Sequence, residues 1–390
     1  MKSRFLVSIN PELLRWARES IGLSQSEAAQ KINRISVGKL ASWEKGESSP
    51  SIIQLRKISD VYKRPLAAFY LQSPPKDFRI IQDYRLSPFK TNIEASPELL
   101  LSTRNAELKR EEAIEIAEVL GNKIQIFNKT TTMESDIDNL ANEIRKYLNI
   151  DIEIQKKWRN SYIAFKNWKN VLESKDILIF QTSGISEQEM SGFSISATQY
   201  PVISVNGRNA YSRRVFTLFH EFCHLLLKNG GVCDLVEFRK MGTANQQIES
   251  FCNRFSGAFL MPAASLSSEN IVQMHGTSTK WKDIELQQLA TMYSVSREVV
   301  LRRLVELRMS TIDFYFDKLQ EYSEQYKRKE SGESGGYLDY FRRPIINFGR
   351  NYVALVLEAY YERFITASSL SDYLGVRLKH LSDIENEIWK

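Results

Sequence analysis

The chain has 390 residues, enough for two or three domains that each bury a core of their own. No apolar run reaches the roughly 18 residues that cross a bilayer, and the N-terminus lacks the apolar stretch of a signal peptide, which disfavours membrane and secreted proteins. A net charge of +6 permits nucleic-acid binding without indicating it, and three cysteines, an odd number, fit free thiols in a reducing cytoplasm better than a disulfide framework.

Residues 8–72 have the pattern of five helices packed in a small block. Ser24 and Glu27 are spaced as a capping box, which predicts that the second helix begins there. A short fifth helix is predicted over residues 65–70, and the Ser-Pro-Pro segment that follows is typical of a linker. We therefore predict a first domain over residues 1–75.

The rest of the chain combines long helical patterns with a few short strand patterns. A helical connector is predicted over residues 76–158, and a helical C-terminal region of unknown role over residues 311–390. Between them, residues 159–310 alternate helices with strand-like runs. These runs cover residues 177–181, 193–196 and 201–205. The expected fold class is mainly α with a small β-sheet, an α+β fold.

The segment HEFCH at residues 220–224 lies within a strongly apolar helical pattern. The chain has only four histidines, and two of them stand here, four residues apart. On a helix such residues lie on one face, where two imidazoles, His220 and His224, can bind one Zn²⁺. Glu221 can then act as general base on an activated water. The alternative is a solvated helix face, and the apolar flanks weigh against it.

A catalytic zinc site needs a third protein ligand. His275 and His380 are distant in the sequence, and no third-histidine extension follows the motif. Glu249 is the best candidate because it lies on the next apolar helical pattern, at about residues 245–260, although that pattern alone also fits an exposed glutamate. Two nearer acidic residues lie in a polar, glycine-containing stretch and are expected to be exposed: Asp234 and Glu237.

Two segments resemble the ImmA/IrrE family of metallopeptidases. Residues 214–226 resemble its pattern R-x-F-T-x-x-H-E-x-x-H-L-L, and residues 249–262 resemble E-x-x-A-N-x-F-A-x-x-L-L-M-P. In that family the glutamate that opens the second pattern is the third zinc ligand, which implies this role for Glu249. Cys252 stands in place of an alanine, and Cys223 in place of a glycine or alanine. Both cysteines are expected to pack as small apolar side chains rather than bind the metal.

The N-terminal block resembles the Cro/C1-type (XRE) helix-turn-helix. The resemblance rests on Gln25 near the start of the second helix and on Trp-Glu-Lys-Gly at residues 43–46, after the third. It implies that a recognition helix enters the major groove of DNA. The residues expected to face DNA are Gln25, Ser36, Lys39, Ser42 and Lys45, the last on a phosphate. The alternative is a helical scaffold for dimerisation or protein recognition.

Two later segments also have the form of a helix-turn-helix. The first covers residues 286–304, and the second, at residues 369–381, is similar in form. Each fits either a DNA contact or a helical support for the rest of the chain, and the sequence pattern does not distinguish between these roles.

Together the resemblances imply a DNA-binding transcriptional regulator with a zinc-dependent endopeptidase domain of zincin-like fold over residues 159–310. They imply operator DNA and a protein substrate as partners, often a repressor in a stress or mobile-element switch, and they are compatible with a homodimer. The strand at residues 201–205 is expected to be an edge strand that could align the substrate by β-addition. The alternatives are a non-cleaving regulator that uses the peptidase-like domain as a sensor, and an antitoxin-like binding protein.

Overall fold

The computed structural model describes residues 9–32, 35–74, 96–228, 243–329 and 340–389, which form two compact units. Residues 9–74 and 96–108 belong to the first unit, and the described residues from 109 onward belong to the second. The fold is mainly α with one small β-sheet, which confirms the predicted fold class. Within the described residues, no helix is both long enough and apolar enough to cross a membrane.

The described elements of the first unit are all helices. Its elements are α1 (Pro11–Glu19), α2 (Gln25–Ile32), α3 (Val37–Glu44), α4 (Ile52–Tyr62), a 3-10 helix (Leu66–Tyr70) and the first part of α5 (Pro97–Leu120). The predicted capping box is present, because Ser24 Oγ accepts from the Glu27 N–H and the Glu27 carboxylate accepts from the Ser24 N–H. The predicted fifth helix is a 3-10 helix, a form common in pieces this short.

A polar cluster lies inside the core of the first unit. Arg18 donates to both carboxylate oxygens of Glu44, at 2.7 and 2.9 Å, and both side chains are buried. The side-chain amide of Gln25 donates to the same carboxylate at 2.9 Å. Arg104 on α5 donates to the main-chain carbonyl of Tyr62. The first unit therefore includes part of α5, which lies beyond the predicted domain boundary at residue 75.

The second unit contains the sheet and most of the helices. Its elements before the strands are the rest of α5, α6 (Ile137–Leu148), α7 (Ile152–Trp158) and α8 (Ser161–Glu173). The strands are β1 (Leu178–Thr182), β2 (Gly192–Ile195) and β3 (Val202–Asn206). The helices that follow are α9 (Tyr211–Leu226), α10 (Thr243–Leu260), α11 (Ala263–Ser268), α12 (Asn270–His275), α13 (Asp283–Tyr293), α14 (Arg297–Glu306) and α15 (Ile312–Lys329). A 3-10 turn (Tyr340–Arg342), α16 (Arg343–Tyr361), α17 (Ala367–Leu374), a second 3-10 turn (Leu378–His380) and α18 (Leu381–Ile388) complete it.

The three strands form a mixed sheet in the order β1-β3-β2. Strand β3 is central, because it pairs in parallel with β1 and antiparallel with β2. The prediction that residues 201–205 form an edge strand is therefore wrong. All five residues of β3 are buried, and its apolar run, Val202, Ile203 and Val205, is typical of a strand covered on both faces. Among the described strands, β1 and β2 form the edges of the sheet.

The predicted second helix-turn-helix corresponds to α13 and α14. Leu289, Leu301 and Leu304 on these helices are fully buried in the main core of the second unit. The carbonyl of Tyr293 at the end of α13 also accepts a hydrogen bond from the buried amide of Gln155. Burial of these side chains favours the support role for this segment over a DNA contact.

Helix α16 is broken at Gly349, whose φ of 82° and ψ of 162° are not helical. Lys169 on α8 donates to the carbonyls of Ile345 and Ile346 before the break, at 3.2 and 3.1 Å. Glu173, one turn further along α8, accepts the N–H of Arg350 after the break at 3.3 Å. Two buried charged side chains thus replace the helical hydrogen bonds that the break removes. Burial raises the pKa of Glu173 to about 7, against the opposing charge of Lys169.

Candidate metal centre

The two histidines of the predicted motif lie one helical turn apart on α9. Their ring centroids are 4.9 Å apart, and their Nε2 atoms approach within 3.2 Å. Both rings are buried, as is every residue of α9 from Val215 to Leu226. The apolar side chains of that stretch pack in the core of the second unit and leave the imidazoles facing α10.

Glu249 on α10 meets both imidazoles. Its Oε2 lies 3.0 Å from Nε2 of His220, and its Oε1 lies 3.3 Å from Nε2 of His224. Ligands of a tetrahedral zinc at 2.0–2.1 Å stand about 3.3 Å from one another. The donor atoms of these three side chains therefore fit around one ion, and their two nitrogens and one carboxylate are the types that zinc accepts.

The charge state of this group also suits a cation. Burial raises the pKa of Glu249, but hydrogen bonds from the imidazoles of His220 and His224 and their charges outweigh this and hold it well below its usual range. The carboxylate is therefore ionised at neutral pH. A bound cation would replace the histidine protons as the partner of this buried negative charge.

Asn253 supports the first histidine, a contact that was not predicted from the sequence. Its side-chain oxygen lies 3.0 Å from Nδ1 of His220. With an N–H on Nδ1 directed at this oxygen, Nε2 is the nitrogen that would bind an ion once it gives up its own proton, and it is the one that faces Glu249. Asn253 stands four residues after Glu249 on one helix, so this spacing was a signal available in the sequence.

Glu221 lies beside the two histidines and is 1% exposed. Its Oε2 accepts a hydrogen bond from the hydroxyl of Ser194 on β2 at 3.2 Å. The predicted general base therefore lies between α9 and the edge strand β2. Ser194 was not predicted as part of the site, because nothing in the linear sequence relates it to Glu221, 27 residues away.

The far end of α10 is held by three buried side chains. Arg145 donates to the carbonyl of Phe259, Gln155 to that of Leu260 and Arg303 to that of Met261, at 2.9 to 3.1 Å. The last carbonyls of a helix have no partners inside it, so these bonds satisfy groups that would otherwise be buried alone. They fix the helix that carries Glu249 and Asn253 against its neighbours.

The other candidate ligands lie apart from this group or outside the described residues. His275 stacks on Trp281, with ring centroids 3.7 Å apart, and His380 lies 3.7 Å from Asp383. Asp234 and Glu237 lie outside the described residues. Two buried thiols, Cys223 and Cys252, lie beside the site, and burial raises the pKa of Cys252, which suits the predicted packing role.

The residues predicted to face DNA cluster around α3, except for Gln25. Ser36 caps α3 and accepts the N–H of Lys39, which is exposed. The hydroxyl of Ser42 lies 2.6 Å from that of Ser48, and exposed Lys45 follows the end of the helix. Gln25 starts α2, and its side-chain amide donates a hydrogen bond to the Glu44 carboxylate.

Comparison with known families gives two matches. Residues 172–305 match a peptidase family described as IrrE N-terminal-like domain, and residues 14–69 match a family described as helix-turn-helix. No curated protein matches the chain. The first match supports a metallopeptidase-like domain and the second a DNA-binding region. The predicted resemblance is confirmed: a helix-turn-helix region precedes an IrrE-like peptidase region in this chain.

Proposed function

We propose that the chain is a DNA-binding transcriptional regulator whose second unit is a zinc-dependent endopeptidase that cleaves a regulatory protein such as a repressor. The proposal rests on one observation. The ligand atoms of His220, His224 and Glu249 lie at distances at which they could share one ion, beside the buried carboxylate of Glu221. The helix-turn-helix match supports the operator DNA as a second partner.

Three side chains would hold zinc, and a fourth would move the proton. Zinc held by His220, His224 and Glu249 would supply a Lewis acid that activates water and polarises the peptide carbonyl. Glu221 takes a proton from the attacking water and passes it to the nitrogen of the leaving amine. Asn253 would hold His220 in the tautomer whose Nε2 is left to bind the ion. The chain thus contains groups for binding, orientation and proton transfer.

Among the described strands, β2 lies at an edge of the sheet, but all four of its residues are buried. The Asn206 N–H donates to the Ser191 carbonyl, so in the antiparallel ladder that continues from this bond Phe193 and Ile195 turn their main-chain groups toward β3. Gly192 and Ser194 turn theirs outward. Because Ser194 is 1% exposed, its outward main-chain groups are covered and offer an extended substrate no surface for β-addition. Alignment of a substrate by β-addition is therefore not part of the proposed mechanism.

The test compares the wild type with Glu221→Gln. Both proteins are expected to contain about one zinc per chain, because Glu221 is not a proposed ligand, whereas only the wild type is expected to cleave a candidate repressor protein. His220→Ala is expected to lose both metal and cleavage, and Glu187→Gln, which changes an exposed glutamate, to keep both. Products are detected by mass spectrometry.

Two results would decide against this function. Equal cleavage by the wild type and Glu221→Gln would exclude the mechanism. A metal-free wild type that binds operator DNA specifically would favour the non-cleaving regulator instead.

A further inference from the structure

Strand β2 lies directly against α9 at the position of Glu221. A Cβ atom placed on Gly192 would lie 2.5 Å from Cγ2 of Thr217 and 3.2 Å from Cγ of Glu221. Real Cβ atoms do not approach other atoms as closely as the first distance. Glycine at this position is therefore what permits strand and helix to come this close.

This close approach brings Ser194 within hydrogen-bond distance of Glu221. Ser194 is two residues after Gly192 on the same strand, so both residues face α9. Its hydroxyl donates to Oε2 of Glu221 at 3.2 Å, and each of the two residues is only 1% exposed. A glutamate side chain has three rotatable bonds, and a buried hydrogen bond to its end restricts all of them.

We propose that Ser194 is a positioning residue for Glu221, and that Gly192 sets the distance across which it acts. The inference rests on the proposed function, because Glu221 needs a fixed orientation only if it moves a proton. A carboxylate that must reach one water and then one leaving nitrogen loses rate steeply when it is misplaced by an ångström. The Ser194 hydroxyl holds one oxygen of that carboxylate in a fixed place.

A purely structural role makes a different prediction. If the Ser194 hydroxyl only satisfied a buried carboxylate, its removal would lower the free energy of unfolding, and turnover per folded molecule would stay the same. A positioning role lowers kcat in the folded protein while KM and the metal content stay constant, because substrate and ion contact other groups. Measurements of folded fraction, metal content and kinetics therefore separate the two roles.

The test uses Ser194→Ala, Ser194→Thr and the matched control Ser204→Ala. Ser204 is a buried serine on β3 that pairs with Phe193, so its side chain lies on the opposite face of the sheet from Ser194. For Ser194→Ala we expect kcat to fall by about tenfold to a hundredfold, with KM and zinc content unchanged. Ser194→Thr keeps the hydroxyl and is expected to restore most of kcat. Ser204→Ala is expected to keep wild-type kcat.

Unchanged kcat in Ser194→Ala, a change confined to KM, or an equal loss in Ser204→Ala would overturn the inference. A second measurement does not depend on turnover or on the threonine variant. Crystal structures of the wild type and Ser194→Ala are expected to show the Glu221 carboxylate in one orientation in the first and displaced in the second. If the wild type cleaves nothing, the proposed function fails, and an undisplaced carboxylate in Ser194→Ala separately refutes the positioning role.

Discussion

At the scale of single residues, the candidate metal centre includes a side chain that lies outside the proposed ligand set. His220 has two ring nitrogens, and only one of them faces Glu249. Asn253 lies at hydrogen-bond distance from the other and thereby selects the tautomer. Such partners outside the ligand set orient the ring and raise the affinity for the metal.

We expect Asn253→Ala to weaken zinc binding by about 10- to 100-fold, because His220 then loses the acceptor that fixes its ring. Competition with a chromophoric chelator measures the change. Arg254→Ala, which alters the next, exposed residue of α10, serves as the control and should keep the wild-type affinity. Wild-type zinc affinity in Asn253→Ala would show that the ring is held by its packing alone.

The sequence allowed some residues of the site to be anticipated, and others only appear in three dimensions. Two histidines and a glutamate within five residues of one helix are related by helix geometry, so the candidate metal-binding motif HEFCH could be recognised directly from the sequence. Glu249 needed a family resemblance, because two helices can approach in many ways. Ser194 reaches Glu221 from a strand, and no periodicity of the sequence encodes that contact.

At the scale of elements, the C-terminal helices pack against the sheet at the point where α16 is broken. Gly349 lies against the carboxylate of Glu173. A Cβ atom added to Gly349 would lie 3.2 Å from the carbonyl oxygen of Ile179. An unbroken helix with a side chain here would be pushed away from β1. The apolar pattern predicted a helix near residues 352–359, but the break depends on charged residues of α8 far away in the sequence.

Gly349→Ala is expected to destabilise the protein by about 2–5 kcal/mol, because it combines a positive φ with a steric clash. Gly375→Ala is the matched control: its φ is 65°, but no atom lies within 4 Å of an added Cβ. That variant should lose only about 1–2 kcal/mol from the backbone. Near-ultraviolet circular dichroism during thermal unfolding measures the stability of both variants. Equal losses of stability would show that the steric clash at Gly349 does not contribute.

Helix α3 is the element on which the predicted DNA contacts concentrate. We expect Lys39→Ala to lower operator affinity about tenfold, since the exposed side chain lies on the predicted recognition helix. Lys57→Ala on α4 removes the same charge from another exposed site and should have little effect. Gel-shift titrations at one salt concentration measure both, because affinity for DNA depends on salt. Equal losses would indicate a general charge effect.

At the scale of the whole molecule, each unit has its own core and its own buried ionic group. The core of the first unit surrounds the Arg18–Glu44 pair, and that of the second surrounds the side chains of the candidate metal centre. Family patterns placed both regions in the right order along the chain. They did not show that α5 contributes to the first unit, because a charged helix pattern does not indicate what it packs against.

Glu44→Gln is expected to destabilise the first unit by about 2–4 kcal/mol, since it leaves the buried Arg18 with only the exposed carboxylate of Glu19 as counter-charge. Operator binding should weaken strongly near the unfolding temperature, while zinc per chain stays at the wild-type value. Glu47→Gln, an exposed change three residues later, controls for the loss of one negative charge. A parallel loss of zinc in Glu44→Gln would contradict the independence of the two cores.

The packing of α16 against β1 has a consequence for synthesis of the chain. The main-chain groups of Ile179 point away from β3, toward the edge where Gly349 packs. Lys169 and Ile345, which join the two elements, are separated by 176 residues. At 5–20 residues per second a ribosome needs roughly 10–35 s to add that length. For this period the edge of β1 has no cover from α16, and open strand edges are templates for aggregation. We therefore expect nascent chains to pass through a stage at which binding by a chaperone determines the yield.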